Sequence, residues 1–215
     1  MCVAISSVVM IKNKFRMRKP KWMKNFTHIA SLTTALMLSV NAHADFVLGD
    51  NQAPITIIEY GSLTCDYCVK FHREVLPLIK LRHIKKGGVR FIFRNFPTSV
   101  EGTRGAVAAR CAGPDQYYVM LDSLFKTVGD WSRANDVDAA LVEHATSIGL
   151  NDETFLDCLN DPQQTLNIKN EQEKAVYEYD VRGTPTFLIN KNVVRGIQDI
   201  HEIEKLIDEA QLGEN

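Results

Sequence analysis

The N-terminal end of this 215-residue chain lacks acidic side chains, and the rest of the chain has fewer basic than acidic side chains. Residues 1–44 contain seven of the 25 Lys and Arg residues and no Asp or Glu. The other 171 residues therefore carry 18 basic and 26 acidic side chains, a net charge of −8. Because binding to nucleic acid requires a clustered basic face, this composition excludes nucleic acid as an expected partner.

Long apolar runs are also missing. A mostly apolar stretch covers residues 29–40, which is shorter than the roughly 20 residues that a membrane-spanning helix needs. It follows the basic segment and precedes Ala-His-Ala at residues 42–44, an order typical of a signal peptide with its cleavage site. We therefore predict a signal peptide over residues 1–44, or only 23–44, and a mature protein in the periplasm. The alternative is a short amphipathic helix on the domain.

Cysteine is scarce as well, with five in the chain, and Cys2 lies in the segment expected to be removed. The four that remain are Cys65, Cys68, Cys111 and Cys158. An even number of cysteines in an exported protein suggests two disulfides, and four cysteines can pair in three ways.

The segment around the first two cysteines has a clear alternation of element types. Residues 55–60 are rich in β-branched side chains and predict a buried strand. Apolar residues at helical spacing follow Cys68, with Pro77 expected to kink the helix. Residues 89–95 alternate and predict a second strand, so this part predicts a βαβ unit with two parallel strands.

The rest of the chain changes from helices back to strands. Residues 100–180 have helical periodicity interrupted by glycine-containing turns. Residues 186–189 and 193–195 predict two strands joined by a turn, and a striped amphipathic helix ends the chain. The predicted fold class is therefore α/β, in the order β-α-β, helical insert, β-β-α.

The spacing of Cys65 and Cys68 at the start of a helix favours redox chemistry. The helix N-terminus stabilises a thiolate on Cys65, and Cys68 lies one turn further on, where it can close a disulfide. Zinc bound by Cys65, Cys68 and His72 is an alternative, but a fourth ligand at a suitable spacing is missing. A permanent structural disulfide is another. The histidines His72, His83, His144 and His201 are otherwise interpreted as helix-surface residues.

Five stretches together resemble the DsbA-like branch of the thioredoxin superfamily, the bacterial exported disulfide oxidoreductases. They are APITIIEY (53–60), CDYC (65–68), FHREVLP (71–77), VRFIFRNFP (89–97) and GTPTFLIN (183–190). The resemblance implies a thioredoxin fold made of residues 45–99 and 181–215, with residues 100–180 as an inserted helical domain.

The resemblance also implies roles for residues near the cysteines. Thr184-Pro185 is expected to be a cis bond that presents the backbone of Thr184 to an extended substrate peptide. Glu59 is implied to be a partly buried acid that moves protons to and from Cys68; the alternative is a strand-end side chain that reaches solvent. Pro-His separates the cysteines in the strong oxidants of the family.

This chain has Asp66 and Tyr67 at those two positions. We expect the charge of Asp66 to raise the pKa of Cys65 and so to make the protein less oxidising. Tyr67 can donate only one neutral hydrogen bond.

A structural disulfide between Cys111 and Cys158 is favoured over two buried free thiols, because the compartment is expected to be oxidising. We expect a monomer without a cofactor or metal that oxidises unfolded or reduced exported proteins and is itself reoxidised by a membrane quinone-linked partner. The alternatives are a disulfide isomerase or reductase, and a non-enzymatic chaperone or metal-binding protein.

Overall fold

Five strands form a mixed sheet in the computed structural model, which describes residues 45–213. The strands are β1 (Val47–Leu48), β2 (Ile55–Gly61), β3 (Val89–Asn95), β4 (Thr186–Ile189) and β5 (Asn192–Arg195). Their order across the sheet is β1-β3-β2-β4-β5, in which β2 and β3 are parallel and every other pair is antiparallel. The central strand β2 therefore lies between β3 and β4.

The predicted parallel pair is confirmed, with Glu59 of β2 opposite Phe93 of β3 and Phe187 of β4. Strand β1 was not predicted, and it pairs antiparallel with β3. Strand β5 begins one residue earlier than predicted, after a two-residue turn in which Asn190 has a positive φ of 52°.

Helix α1 follows β2 directly and is continuous from Asp66 to Ile84, but it changes its winding along its length. It is α-helical over Asp66–Lys70 and Leu76–Ile79, and π-helical over Phe71–Val75 and Lys80–Ile84. The first π-helical segment precedes Pro77, which has no N–H to donate to the carbonyl four residues earlier. A locally wider turn accommodates that missing bond, so the interruption expected at Pro77 takes this form.

Six helices lie between β3 and β4, and a seventh follows β5. They are α2 (Val100–Cys111), α3 (Gly113–Lys126), α4 (Val128–Trp131), α5 (Val137–Ser147), α6 (Asp152–Asn160), α7 (Pro162–Tyr179) and α8 (Ile200–Leu212). Side chains of Ser99, Asp136, Asn151 and Asp161 accept backbone hydrogen bonds at the N-termini of α2, α5, α6 and α7, which explains where these helices begin.

The inserted helices and the sheet share one hydrophobic core. Phe91 of β3, Leu124 of α3 and Trp131 of α4 belong to the same buried cluster, which Ile203 and Ile207 of α8 also join. Trp131 donates its indole N–H to the Leu124 carbonyl at 2.9 Å, so its only polar atom is satisfied inside that core. Among residues 45–213, no helix combines the length and the apolar character that crossing a membrane requires.

Candidate active site

Cys65 occupies the position immediately before helix α1, with an extended backbone (φ −87°, ψ 120°). Its N–H donates to the Ser62 carbonyl at 3.1 Å, and its carbonyl accepts from Val69 at 2.9 Å. The thiol is partly exposed and is not part of a disulfide. Cys65 therefore lies at the helix N-terminus that the sequence predicted, close to its free N–H groups, and also has access to solvent.

The surroundings of Cys65 lower its pKa from 9.0 to about 5. The largest cause is a hydrogen bond from the Cys68 thiol, which outweighs the opposing effect of burial. The side chain of Thr184 and the backbone N–H groups of Cys68 and Tyr67 add to the lowering. In the neutral form the Cys65 thiol donates instead to the Thr184 carbonyl at 3.4 Å. Cys65 is therefore mainly a thiolate at neutral pH.

Cys68 has the opposite character. Its side chain is fully buried and is not part of a disulfide. Burial raises the pKa of Cys68 far above the ordinary thiol value, and its hydrogen bond to Cys65 and the negative charge of Glu59 raise it further. The pair thus consists of one exposed thiolate and one buried thiol that keeps its proton.

The Thr184–Pro185 peptide bond is cis and lies next to Cys65 through the contact of Sγ with the Thr184 carbonyl. Hydrogen bonds on both sides hold this loop: the Thr186 hydroxyl donates to the Gly183 carbonyl at 2.7 Å, and Gly196 N–H donates to the Pro185 carbonyl at 2.9 Å. Thr184 is half-buried and Pro185 is buried. The structure therefore brings together residues that are 119 positions apart in the sequence.

Glu59 is completely buried on β2, so the alternative of a side chain that reaches solvent is wrong. Its Oε2 lies 2.8 Å from Nε2 of His72, which is on the first π-helical segment of α1. The interpretation of His72 as a helix-surface residue is also wrong, because its side chain is only 1% exposed. His72 lies four positions after the buried Cys68, so both side chains are on one helix face.

Sequence reasoning missed a group of hydroxyl side chains beside Cys65. Thr64 Oγ1 lies 3.3 Å from Ser62 Oγ and 3.0 Å from Ser99 Oγ, and Thr98 donates to Ser62 Oγ at 3.3 Å. We call Ser62, Thr64, Thr98 and Ser99 the hydroxyl cluster. It joins the segment that precedes Cys65 to the N-terminus of α2, where Gly102 packs against it.

Asp66 and Tyr67 are both exposed, Tyr67 by 60%. Asp66 is not among the groups that dominate the pKa of Cys65, because its charge is in solvent and is screened there. The effect of Asp66 on the redox potential therefore stays a prediction.

The remaining two cysteines form a disulfide that joins α2 to α6. Cys111 and Cys158 have an S–S distance of 2.05 Å and a Cα–Cα distance of 5.8 Å. Within residues 45–213, no group of three or more His, Cys, Asp or Glu side chains is placed to hold a metal ion. His72, a ligand in the zinc alternative, contacts Glu59 instead.

Comparison with known proteins is consistent with this geometry. The thioredoxin family model matches residues 41–209. Among solved structures, alpha-DsbA1 of Wolbachia pipientis is 31% identical, with a TM-score of 0.71 over 80% of this chain and 94% of that chain. Disulfide bond formation protein D of Bacillus subtilis is 27% identical over 173 residues, which cover 78% of this chain and 77% of that protein.

A Rickettsia conorii protein named as a protein-disulfide oxidoreductase is 26% identical over 167 residues, or 77% of this chain. The chain spans between 60% and 66% of the length of the rickettsial relatives that it matches. The predicted α/β fold with a helical insertion is confirmed by the family match and the structural neighbours. The chain therefore belongs to the thioredoxin family and, within it, to the DsbA-like branch.

Proposed function

We propose that this protein is a thiol–disulfide oxidoreductase that introduces disulfide bonds into reduced or unfolded exported proteins. The observation that carries the proposal is the opposite ionisation of the two thiols, with the pKa of Cys65 lowered to about 5 and that of Cys68 raised. A low pKa makes the exposed sulfur a good leaving group. The names of the relatives, which refer to disulfide formation, support the same activity.

The reaction begins with the Cys65–Cys68 disulfide. A substrate thiolate attacks Sγ of Cys65, the accessible sulfur, so that the Cys65–Cys68 bond breaks and a substrate–Cys65 bond forms. Cys68 leaves as a thiolate and takes up a proton. A second substrate thiolate then attacks the substrate sulfur, forms the substrate disulfide and releases Cys65 as a thiolate. Two electrons pass from substrate to protein, and the substrate loses two thiol protons.

The state of Cys65 favours oxidation of substrates over their reduction. A stabilised thiolate favours the reduced protein, and a protein whose reduced form is favoured is an oxidant. Reductase activity needs a reduced pair that gives its electrons up readily, which a thiolate with a pKa of about 5 opposes.

Several finer parts of the proposal rest on the family and on the sequence. The substrate peptide would pair with the backbone of Thr184 beside the cis proline, in the manner of an added strand. A membrane quinone-linked protein would reoxidise the pair, and the protein would act as a monomer in the periplasm. The predicted signal peptide, residues 1–44, lies outside the described residues.

Oxidative refolding of a reduced model protein with glutathione disulfide tests this function. The wild type should accelerate disulfide formation, Cys65→Ser should abolish the acceleration, and Cys68→Ser should accumulate mixed disulfides because the resolving thiol is gone. A protein with both Cys111→Ser and Cys158→Ser is the matched control and should keep its activity at a temperature at which it remains folded. Full activity of Cys65→Ser would refute the proposal.

A further inference from the structure

The pair formed by Glu59 and His72 is unusual in its burial. The side chain of Glu59 is 0% exposed and that of His72 is 1% exposed, and they share one hydrogen bond of 2.8 Å. Within residues 45–213, the other polar atom of each side chain, Oε1 of Glu59 and Nδ1 of His72, has no hydrogen-bond partner. Two buried groups that can each exchange a proton therefore form a chain with a free atom at both ends.

The two residues of this pair adjoin different parts of the molecule. At the Glu59 end is Cys68, whose pKa the charge of Glu59 raises. At the other end, His72 lines a cleft of about 460 Å³ between α1 and α3. The charged groups facing this cleft are Arg73 and Lys80 of α1 and Asp122 and Lys126 of α3.

None of the residues at the exposed cysteine lines this cleft: Cys65, Thr184 and Pro185 all lie elsewhere. A substrate peptide on Cys65 would therefore leave the cleft open to water. At that moment Cys68, which is fully buried, must take up a proton that bulk solvent cannot deliver to it directly.

We propose that His72 extends the proton path of Glu59, the acid that the family resemblance implies for Cys68, to the cleft of α1 and α3, so that Cys68 exchanges protons away from the substrate-binding face. The inference rests on the proposed oxidoreductase function. Cys65 and Cys68 are the catalytic residues, and His72 is a positioning residue that acts through Glu59.

The relay balances over a complete cycle. When substrate is oxidised, the Glu59 carboxylate takes the proton from Nε2 of His72 and passes a proton to the Cys68 thiolate, and Nδ1 takes one from water that reaches it from the cleft. When Cys68 is reoxidised, its proton passes to Glu59 and then to Nε2, and the proton on Nδ1 returns to water. The second passage restores the original tautomer.

The imidazole ring does not need to turn over between these steps, and its packing is consistent with a fixed ring. It stacks on Phe125 at a centroid distance of 3.8 Å and an angle of 17°. Phe93 makes a T-shaped contact with it, at a centroid distance of 5.3 Å and an angle of 84°. Histidine suits this position because one nitrogen of a neutral imidazole donates while the other accepts.

The test compares His72→Gln with His83→Gln in the complete protein. Glutamine keeps a donor for Glu59 but cannot pass a proton from one nitrogen to another. His83 is the matched control, because it lies on the second π-helical segment of α1 and is bonded to a glutamate, Glu204, at 3.2 Å. Reduction of the 65–68 disulfide by excess small dithiol is followed by the absorbance of the Cys65 thiolate at several pH values.

We expect His72→Gln to slow this reduction by roughly fivefold or more at neutral pH and to flatten its pH profile, while the equilibrium with glutathione changes less than the rate. His83→Gln should behave as the wild type. Glu59→Gln should slow the reaction similarly, and the double variant should add no further loss, because both residues act in one relay.

A fall of less than roughly fivefold in His72→Gln, or an equal fall in His83→Gln, overturns the relay. If His72→Gln does not fold, additive losses in Glu59→Gln combined with His72→Asn overturn it instead. A wild type that does not oxidise reduced proteins would refute the proposed function. A fully active wild type with an unaffected His72→Gln would refute the relay alone.

Discussion

Replacing Cys68 with alanine should raise the pKa of Cys65, because the Cys68 thiol supplies the largest part of the lowering. Hydrogen bonds to charged groups contribute about 1.5–3 kcal/mol, and 1.36 kcal/mol corresponds to about one pKa unit. Cys65 is partly exposed, so solvent screening places the effect near the lower end of that range. We therefore expect the pKa of Cys65 to rise from about 5 by roughly one unit.

Ultraviolet absorbance of the thiolate, recorded against pH on the reduced proteins, measures this change. Cys68→Ser is the matched control, because a hydroxyl at the same position can still donate to the thiolate and should give a smaller rise. A pKa of Cys65 that stays at about 5 in Cys68→Ala, or that is the same in the alanine and serine variants, would show that the Cys68 thiol does not stabilise the Cys65 thiolate.

The same pKa predicts how the stability of the reduced protein depends on pH. The folded pKa of Cys65, about 5, lies below the ordinary value of 9.0, so the folded state binds fewer protons between these values. The reduced protein should therefore gain stability relative to Cys65→Ser as the pH rises above about 5, and should lose that advantage as the pH falls through 5. Denaturant unfolding of both proteins at several pH values measures this stability difference. A stability difference that is constant with pH would contradict the lowered pKa of Cys65.

Three other substitutions test separate parts of the account. Asp66→Asn should lower the pKa of Cys65 by at most roughly half a unit, because Asp66 is exposed; thiolate absorbance measures this, and a raised pKa would contradict it. Replacing Cys111 and Cys158 by serine should destabilise the protein by about 4 kcal/mol in denaturant unfolding, since their disulfide closes a loop of 47 residues; unchanged stability would contradict the value. Gly102→Ala should cost about 1 kcal/mol or more in thermal unfolding, because its Cβ would lie 2.8 Å from an oxygen of the hydroxyl cluster; a more stable variant would show that the cluster yields without cost.

Local patterns were sufficient to predict the elements that hold the cysteines. The β-branched run of β2 and the cysteine spacing at the start of α1 both concern neighbouring residues, and each has one favoured interpretation. Strand β1 has only two residues, too few for a periodic pattern, and it exists because Val47 and Leu48 find partners on β3.

The parts of the site that depend on distant contacts were not predictable from local patterns. His72 is polar and next to exposed positions of α1, and only the partner on β2, Glu59, makes its burial favourable. The hydroxyl cluster likewise assembles from two segments, so its members individually look like ordinary loop residues. Such polar contacts have no periodicity, and the sequence alone therefore leaves them undetected.

Equilibrium of the 65–68 disulfide with reduced and oxidised glutathione tests the central claim most directly. A reduced form stabilised by a Cys65 thiolate, with a thiol pKa of about 5, predicts a reduction potential between the roughly −270 mV of thioredoxin and the roughly −120 mV of the strongest oxidant of the DsbA type. A potential at or below roughly −270 mV would contradict an oxidase, because the pair would then give up its electrons as readily as a reductase does.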